Sequence, residues 1–345
     1  MNEPLVTICV PTYNAEAFIA ETIQSILKQS YKHFELFVLD NCSTDKTGEI
    51  CRRIKDPRVT YICNERNLGS LGNFNKAITT GRGEYLAIYH ADDVYEKGIV
   101  AQEVAVLLRH PDVNCVYTRC SIIDEHSRPM GYDDIPAILL DRPLTFQEVF
   151  TYILGTLRSP FITPSCMVRR IAYKAAGRYS ARKYPMAGDV EMHLKLTRTS
   201  RTYILDKRLL RYRHSPAQAS IIYSTTYETP NQLFGLLDSF LSRHRKEIPE
   251  RTLNTYEAYR EWDYTVCAIN LLAKKRVSSS DARRAGAYLR RSLTWRRFRR
   301  IHKELLLSMI TICMLVLAHL GLARPLARAI NKTRWERHLA QKKGA

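Results

Sequence analysis

Residues 85–93 read Tyr-Leu-Ala-Ile-Tyr-His-Ala-Asp-Asp, an apolar run that ends abruptly in paired carboxylates. A strand of this kind delivers Asp92 and Asp93 to the edge where the carboxyl ends of a sheet's strands meet. In open α/β sheets, ligands bind at that edge. Carboxylates there can hold a divalent cation, which in turn can neutralise a diphosphate. Because Asp also favours turns through local hydrogen bonds, the meaning of this stretch depends on the segments around it.

Two upstream segments repeat the pattern of a buried strand that ends in polar residues. The first strand, at 6–10, is followed by Pro11-Thr12-Tyr13-Asn14 and then by apolar residues at helical spacing from 16 to 29. The second strand, at 34–39, ends in Asp-Asn-Cys-Ser-Thr-Asp at 40–45. Ser, Thr and Asp are favoured N-cap residues, so a second helix is expected to begin there.

The remaining pattern predicts a mostly parallel α/β sheet. A third strand, at 59–63, precedes Asn67-Leu68-Gly69-Ser70-Leu71-Gly72, whose glycines permit positive φ or close backbone approach. Strands that alternate with helices predict βαβ units and a mostly parallel sheet. Further strands are predicted at 113–117, 162–167 and 203–205, and a loop at 124–141.

Together these segments resemble the inverting family 2 glycosyltransferases of the GT-A fold, from Pro4 to about Ser220. The order of the motifs carries the resemblance: Val-Pro-Thr-Tyr-Asn at 10–14, Val-Leu-Asp-Asn-Cys-Ser-Thr-Asp at 38–45, Asn-Leu-Gly at 67–69, and Gly-Glu-Tyr-Leu at 83–86. The resemblance implies an α/β fold of the nucleotide-diphospho-sugar transferase type. Its mostly parallel central sheet is flanked by helices, with an α-helical C-terminal appendage.

The resemblance also implies which residues bind the nucleotide sugar, with Asp40 reading the base. These are Pro11, Thr12, Tyr13, Asn14, Asp40, Asn67, Gly69, Gly72 and Asn75. Phe74 stands where many relatives carry an Arg that helps bind the donor, so Phe74 is interpreted as a core residue. Lys76 or Arg82 can take over the phosphate contact, but Lys offers a point charge and not a bidentate fork.

The metal motif departs from the family's usual Asp-x-Asp, because His90 occupies the first position. The resemblance implies that Asp92 meets Mn²⁺ or Mg²⁺. Imidazole is an acceptable ligand for manganese and a poor one for magnesium. Three interpretations of His90 stay open: metal ligand, phosphate contact or strand cap. Asp93 is expected to orient the loop or touch the sugar.

An inverting transfer needs one carboxylate to deprotonate the acceptor hydroxyl as that hydroxyl attacks the anomeric carbon. The family places this base in a Glu-Asp pair that opens a helix. The matching stretch here begins Gly188-Asp189, so the resemblance assigns the base to Asp189 and puts Gly where Glu is frequent. An Asp at a helix start is also an ordinary cap, and the two roles are compatible.

A last motif, Tyr212-Arg213-His214, is similar to the family's Tyr-Arg-x-His but places His one position early. His214 is a candidate ligand of the metal or of the diphosphate, and Arg213 a candidate contact of the nucleotide sugar. The shifted register leaves a plain loop role equally open for both residues.

The chain of 345 residues is long enough for one large α/β domain plus an appendage. We place a catalytic domain at 1–222 and a helical, strongly basic region at 223–345. The nine cysteines are scattered singly without a Cys-x-x-Cys pair, which favours buried thiols in a reducing cytosol. The first strand begins at residue 6, which leaves no room for a signal peptide.

Charge is concentrated near the C-terminus. Residues 283–345 hold 16 Lys or Arg and two acids, Glu304 and Glu336, and so carry +14 of the formal net charge of +19. Residues 305–323 have no formal charge, a length just within the range of a membrane-spanning helix. Ser308, Thr311 and His319 weaken that interpretation, so we favour an interfacial segment beside anionic lipid. A true span and a helix packed on the catalytic domain stay open.

The sequence thus predicts a metal-dependent inverting glycosyltransferase, with Mn²⁺ or Mg²⁺ as cofactor. The donor is expected to be a UDP- or dTDP-sugar, and the acceptor a lipid-linked, lipopolysaccharide or exopolysaccharide glycan. The predicted location is the cytoplasmic face of the inner membrane, peripheral or monotopic. One alternative is a catalytically inactive scaffold. Another is a protein whose basic tail binds nucleic acid or membrane, but no recognised nucleic-acid motif accompanies the charge, so no nucleic-acid partner is expected.

Overall fold

The computed structural model describes residues 3–180, 182–214, 228–274, 276–292 and 327. Its contacts divide the chain into two units. The first consists of residues 1–150 and 158–215, and the second of residues 151–157 and 216–345. The boundary predicted between 222 and 223 falls in the stretch 215–227, outside the described residues, and it stays a prediction.

The first unit is a sheet flanked by helices. Its strands are β1 (Val6–Thr12), β2 (Phe34–Asp40), β3 (Val59–Cys63), β4 (Tyr85–Ile88), β5 (Val94–Tyr95), β6 (Val113–Ile123), β7 (Pro129–Tyr132), β8 (Pro143–Leu144), β9 (Met167–Arg169) and β10 (Arg201–Arg213). Its helices are α1 (Ile19–Leu27), α2 (Thr47–Arg52), α3 (Ser70–Thr79), α4 (Ile99–Arg109), α6 (Arg170–Ala176) and α7 (Gly188–Thr199). Helix α5 (Phe146–Thr156) begins in this unit and ends in the second.

The sheet has two different halves. Its strand order is β3-β2-β1-β4-β9-β6-β10-β5. Strands β3, β2, β1 and β4 pair in parallel, as the sequence predicts. Strand β9 then pairs antiparallel with both β4 and β6, and β5 pairs antiparallel with β10. The expectation of a mostly parallel sheet therefore holds for the first half, and the second half is mixed.

The parallel half is built from fully buried strands and amphipathic helices. Six of the seven residues of β1 are buried, as a strand covered on both faces requires. Ile19, Ile23 and Ile26 of α1 are fully buried and follow the helical period of the pattern. Gly83 lets the chain that enters β4 pass close to β1, because a Cβ there would lie 2.5 Å from the backbone nitrogen of Thr7.

Two predicted elements of the second half are corrected. The strand predicted at 162–167 is instead a 3-10 helix, Thr163–Ser165, followed by β9 from Met167. Pro164 explains the error, since proline lacks the N–H that a central strand must donate. The predicted loop at 124–141 contains β7, which pairs antiparallel with β6.

The second unit is helical where it is described. The helices are α8 (Gln232–His244), α9 (Glu250–Leu272) and α10 (Ser279–Ser292), with a 3-10 helix at Arg245–Glu247. Ser278 caps the start of α10: its Oγ accepts from the Asp281 N–H and its own N–H donates to Asp281 Oδ2. This reciprocal pair is a capping box.

The predicted membrane-associating segment, 305–323, lies outside the described residues. Within the described parts of the chain, none of the helices combines the length and the apolar character needed to cross a membrane. The basic stretch at 296–300 is likewise not described.

Candidate active site

The loop after β4 gathers three potential metal ligands. One ligand atom each of His90, Asp92 and Asp93 lies within 4.8 Å of the others. The His90 Nε2 and Asp93 Oδ2 atoms are buried without a hydrogen-bond partner. Since buried polar atoms are almost always paired, this cluster has the donor set and the unmet need of a cation site.

The charge states of this loop suit metal binding. Burial lowers the pKa of the His90 imidazole, although the charges of Asp92 and Asp189 oppose the shift. A neutral imidazole is the form that ligates metals. Burial, reinforced by the neighbouring Asp92, raises the pKa of Asp93 well above its usual range. A divalent cation would relieve this crowding of negative charge.

Arg213 holds the loop from behind. Its side chain is 1% exposed, and its backbone N–H donates to Asp93 Oδ1 at 2.8 Å. Its guanidinium donates to the Asp92 carbonyl at 2.7 Å and to Glu21 Oε2 at 2.7 Å. It also donates to the Asp124 carbonyl. Arg213, the predicted donor-binding residue, thus supports the loop after β4, and its contact with a nucleotide sugar stays a prediction.

Asp40 lies where predicted, at the carboxyl end of β2, and is 1% exposed. Its Oδ1 accepts from the Ser43 N–H and hydroxyl at 3.0 and 2.6 Å. Its Oδ2 accepts from the Tyr61 hydroxyl at 2.6 Å. Both oxygens therefore stabilise the turn after β2. A nucleotide base that contacts Asp40 has to share these oxygens with Ser43 and Tyr61.

The turns after β1 and β2 are bonded to each other. Asn14 has φ of 48°. Its N–H donates to Ser43 Oγ at 2.9 Å, and its Oδ1 accepts from the Thr44 N–H at 2.9 Å. Before it, Tyr13 is half exposed, and the Thr12 hydroxyl is buried without a partner. Pro11 lies within β1 and not after it.

An asparagine network fixes the predicted donor loop at 67–72. Asn41 donates to Asn67 Oδ1 at 2.8 Å and accepts from Asn64 Nδ2 and the Leu68 N–H. Lys76, a candidate phosphate partner, donates instead to Asn64 Oδ1 at 2.6 Å. Gly69, at φ of 74°, precedes α3 as its N-cap residue. Gly72 allows a close approach, since a Cβ there would lie 2.9 Å from Leu68 Cβ.

Asn75 and Phe74 face the loop before α7. The Asn75 side chain donates to the Tyr179 carbonyl at 3.0 Å and accepts from the Tyr179 N–H at 2.8 Å. The Phe74 ring lies 5.8 Å from the His90 ring and 5.5 Å from the Tyr179 ring. Phe74 is half-buried, so the interpretation as core is incomplete: the ring lies beside the loop after β4.

Asp189, the predicted base, is the second residue of α7, whose N-cap is Ala187. It is therefore not the N-cap residue, although its Oδ1 accepts from the Val190 N–H at 2.8 Å. Its Oδ2 accepts from the Thr163 hydroxyl at 3.4 Å. Gly188 stands where the family has Glu, and a Cβ there would lie 2.4 Å from Leu71 Cδ1.

Helix α7 also carries a candidate functional residue, His193, that the sequence did not reveal. His193, one turn after Asp189, shares a 3.0 Å hydrogen bond between Nε2 and Thr163 Oγ1, and a 2.6 Å bond between Nδ1 and the Tyr117 hydroxyl. Burial lowers the pKa of His193 to about 4. The spacing of four residues from Asp189 is the signal that places both on one helix face.

His214 is not part of the three-residue cluster found among the described residues. Its backbone N–H donates to the Ile123 carbonyl at 2.8 Å. Its ring packs edge-on against Tyr212 at 5.2 Å. Metal or diphosphate binding by His214 stays a prediction.

Comparisons with known proteins agree with this geometry. Residues 7–175 match the model of the family described as Glycosyl transferase family 2. The chain is 32% identical over 127 residues to UDP-Glc:alpha-D-GlcNAc-diphosphoundecaprenol beta-1,3-glucosyltransferase WfgD of Escherichia coli, covering 37% of this chain and 50% of WfgD. It is 36% identical over 130 residues to an uncharacterised glycosyltransferase of Methanocaldococcus jannaschii, covering 36% of this chain and 45% of that protein. The chain thus spans about half the length of these relatives.

Solved structures share the fold. S. aureus TarS in complex with UDP-GlcNAc has a TM-score of 0.56 at 18% identity, over 97% of this chain and 91% of that one. Mannosyltransferase PcManGT of Pyrobaculum calidifontis, in complex with GDP-Man and Mn²⁺, has a TM-score of 0.51 at 17% identity, over 95% and 88%. At this identity the likeness shows the GT-A fold alone.

Proposed function

We propose that the chain is a member of glycosyltransferase family 2, whose model matches residues 7–175, and that it transfers a sugar with inversion from a nucleoside-diphosphate donor, in a reaction that depends on Mn²⁺ or Mg²⁺. The observation that carries the proposal is the cluster of His90, Asp92 and Asp93 with its unpartnered buried atoms. It lies at the carboxyl end of β4, where open α/β sheets bind ligands. The cluster and Asp189 are close enough for their charges to interact.

The residues fit a cation with mixed nitrogen and oxygen ligands. His90 Nε2 and the Asp92 and Asp93 carboxylates would hold it, and imidazole favours manganese over magnesium. When bound, the cation neutralises negative charge on the departing diphosphate. Arg213 keeps the Asp92 backbone in place through its guanidinium. Asp93 is tied to the Arg213 backbone and so orients the loop.

We assign to Asp189 the role of the base that accepts the proton of the acceptor hydroxyl. Its carboxylate lies in the first turn of α7, where the amide of Val190 fixes one oxygen. A single base suffices, because a diphosphate whose charge a bound cation neutralised would need no separate acid. Attack from the face opposite the diphosphate inverts the anomeric centre.

The donor class is proposed from the relatives. WfgD takes UDP-Glc by its name, TarS is seen with UDP-GlcNAc and PcManGT with GDP-Man. We favour UDP or dTDP as the nucleotide. The acceptor proposed is a lipid-linked or envelope polysaccharide, since WfgD acts on a diphosphoundecaprenol-linked sugar.

The test is a titration of the purified full chain with UDP, GDP and dTDP, each with and without Mn²⁺, followed by release of nucleotide from the matching sugar donors. Tight binding of one nucleotide that depends on Mn²⁺, with release from its sugar donor, supports the proposal. Absence of binding for all three nucleotides contradicts it and favours the scaffold alternative.

We propose further that the C-terminal region holds the enzyme on the cytoplasmic face of the inner membrane, as a peripheral or monotopic protein. The support is the charge of +14 over residues 283–345, since each Lys or Arg near anionic lipid contributes about 1 kcal/mol. The full chain should sediment with vesicles containing phosphatidylglycerol and not with neutral vesicles. Replacing Arg296, Arg297, Arg299 and Arg300 by Gln should weaken that binding, and equal sedimentation of both proteins contradicts the proposal.

A further inference from the structure

A chain of three hydrogen bonds, buried at its Tyr117 end and part-buried at its other end, leads to the carboxylate of Asp189. The Tyr117 hydroxyl lies 2.6 Å from His193 Nδ1. His193 Nε2 lies 3.0 Å from Thr163 Oγ1, and Thr163 Oγ1 lies 3.4 Å from Asp189 Oδ2. The four side chains come from β6, α7 and the 3-10 helix before β9, so the chain links separate parts of the first unit.

Only one arrangement of protons satisfies all three bonds when Asp189 is a carboxylate and His193 is neutral. Asp189 can then only accept, so the Thr163 hydroxyl donates to it. Thr163 has a single hydroxyl proton and must therefore accept from His193 Nε2–H. With Nε2 protonated, a neutral His193 accepts at Nδ1 from the Tyr117 hydroxyl. Every donor thus points towards Asp189, and bonds aligned in one direction polarise one another.

The imidazole is held rigidly in this chain. His193 is 2% exposed and Tyr117 is fully buried. The Tyr117 and Phe161 rings lie 5.1 and 5.3 Å from the His193 ring, and they stack on each other at 4.4 Å. Burial lowers the pKa of His193 to about 4, so the ring is neutral at physiological pH. The chain can therefore orient Asp189 without adding a second charge beside it.

We propose that Thr163, His193 and Tyr117 form a positioning array for the base of the glycosyl transfer, which aims the Asp189 carboxylate at the acceptor hydroxyl. The inference rests on the proposed function. Thr163 touches the base directly, whereas His193 and Tyr117 act through Thr163. The 3.4 Å bond is long for a hydroxyl and a carboxylate, and catalytic hydrogen bonds of this kind tighten when substrates bind.

The test compares Thr163→Val with Thr163→Ser in the full chain. Valine keeps the shape of the side chain and removes the hydroxyl, whereas serine keeps the hydroxyl. The assay measures nucleotide release, with Mn²⁺, from the sugar donor that the wild type uses. In this assay the kcat of Thr163→Val should be about 10- to 100-fold lower than that of the wild type. The KM for the donor should be unchanged, and Thr163→Ser should restore most of kcat. Thr199→Val, which removes a hydroxyl at the other end of α7, is the matched control and should keep the wild-type kcat.

The outcomes separate this inference from the proposed function. A wild type that releases no nucleotide from any donor contradicts the proposed function. An active wild type with an equally active Thr163→Val overturns the array, as does a Thr163→Ser that is no better than Thr163→Val. A second measurement is the nitrogen NMR spectrum of histidine-labelled protein, in which the signal lost in His193→Gln is assigned to His193. The array predicts a proton on Nε2, and a proton on Nδ1 instead overturns it.

Discussion

The turn after β2 and the loop after β4 lie at the same edge of the sheet but differ in whether their buried polar atoms have hydrogen-bond partners. After β2, both oxygens of Asp40 accept hydrogen bonds from protein groups, and Asn41 is bonded to its neighbours through both ends of its side chain. After β4, His90 Nε2 and Asp93 Oδ2 are buried without partners. A buried polar atom without a partner is costly.

The difference indicates that the two segments have different roles. In the turn after β2, here called the saturated turn, the polar side chains are already hydrogen-bonded within the folded protein. The carboxylate of Asp40 and the amide of Asn41 therefore form a fixed surface against which a nucleotide can pack. The loop after β4 keeps two buried polar atoms without partners, and the side-chain atoms gathered there are all acceptors or ionisable groups. In the proposed function a sugar nucleotide with a cation would pair these atoms, and Arg213 holds the loop through its hydrogen bond to the Asp92 carbonyl.

The largest effect expected is on catalysis and not on binding. Asp189→Asn should lower kcat by about 100- to 10,000-fold, because it removes the proton acceptor. The affinity for nucleotide and Mn²⁺ should stay at the wild-type value, since Asp189 lies outside the three-residue cluster. Steady-state kinetics and a binding titration measure the two effects separately. Equal losses in kcat and in nucleotide affinity sink the assignment of Asp189 as the base.

A smaller effect is expected at the cation site. Asp92→Asn should abolish the stimulation of nucleotide binding by Mn²⁺ and weaken binding by at least about 10-fold, since even outer-sphere changes at metal sites cost this much. Asp112→Asn, at a partly exposed carboxylate paired with Arg201, is the matched control. If Mn²⁺ stimulates nucleotide binding by Asp92→Asn as strongly as by the wild type, the loop after β4 does not differ from the turn after β2 in binding a cation.

The smallest effect is expected in the saturated turn. Tyr61→Phe removes the donor to Asp40 Oδ2 and should lower the free energy of unfolding of the first unit by about 1–2 kcal/mol, the cost of one lost bond to a buried acceptor. Urea unfolding measures it. The Mn²⁺ dependence of nucleotide binding should not change in this variant. If the Mn²⁺ dependence changes while the free energy of unfolding does not, the turn after β2 and the loop after β4 do not have separate roles.

The sequence predicted the parallel half of the sheet well, because strands buried on both faces leave a continuous apolar run. Residues 6–12 and 85–88 are such strands. It failed at 162–167, where Thr163–Ser165, with Pro164 in the middle, form a 3-10 helix instead of a strand. It missed the antiparallel insertion of β9 for a related reason: a three-residue strand has too short a pattern to reveal its direction.

The site was predicted in part. The positions of Asp40, Asp92 and Asp189 follow from motifs at strand and helix ends, which local sequence reveals. The burial of Arg213 under the loop after β4 does not, because its partners Glu21 and Asp124 are distant in sequence. Tyr117 and Thr163 were missed for the same reason, since only the packing of β6 against α7 brings them to His193.

Whether His90 ligates the cation can be measured spectroscopically. Electron spin-echo modulation of Mn²⁺ bound with UDP to the full chain reports nitrogen nuclei in direct contact with the metal. We expect a strong nitrogen modulation in the wild type that is absent in His90→Asp, with Mg²⁺ then supporting nucleotide binding as well as Mn²⁺ does. Mn²⁺ bound to the wild type without any nitrogen modulation would contradict a His90-ligated cation site at the loop after β4.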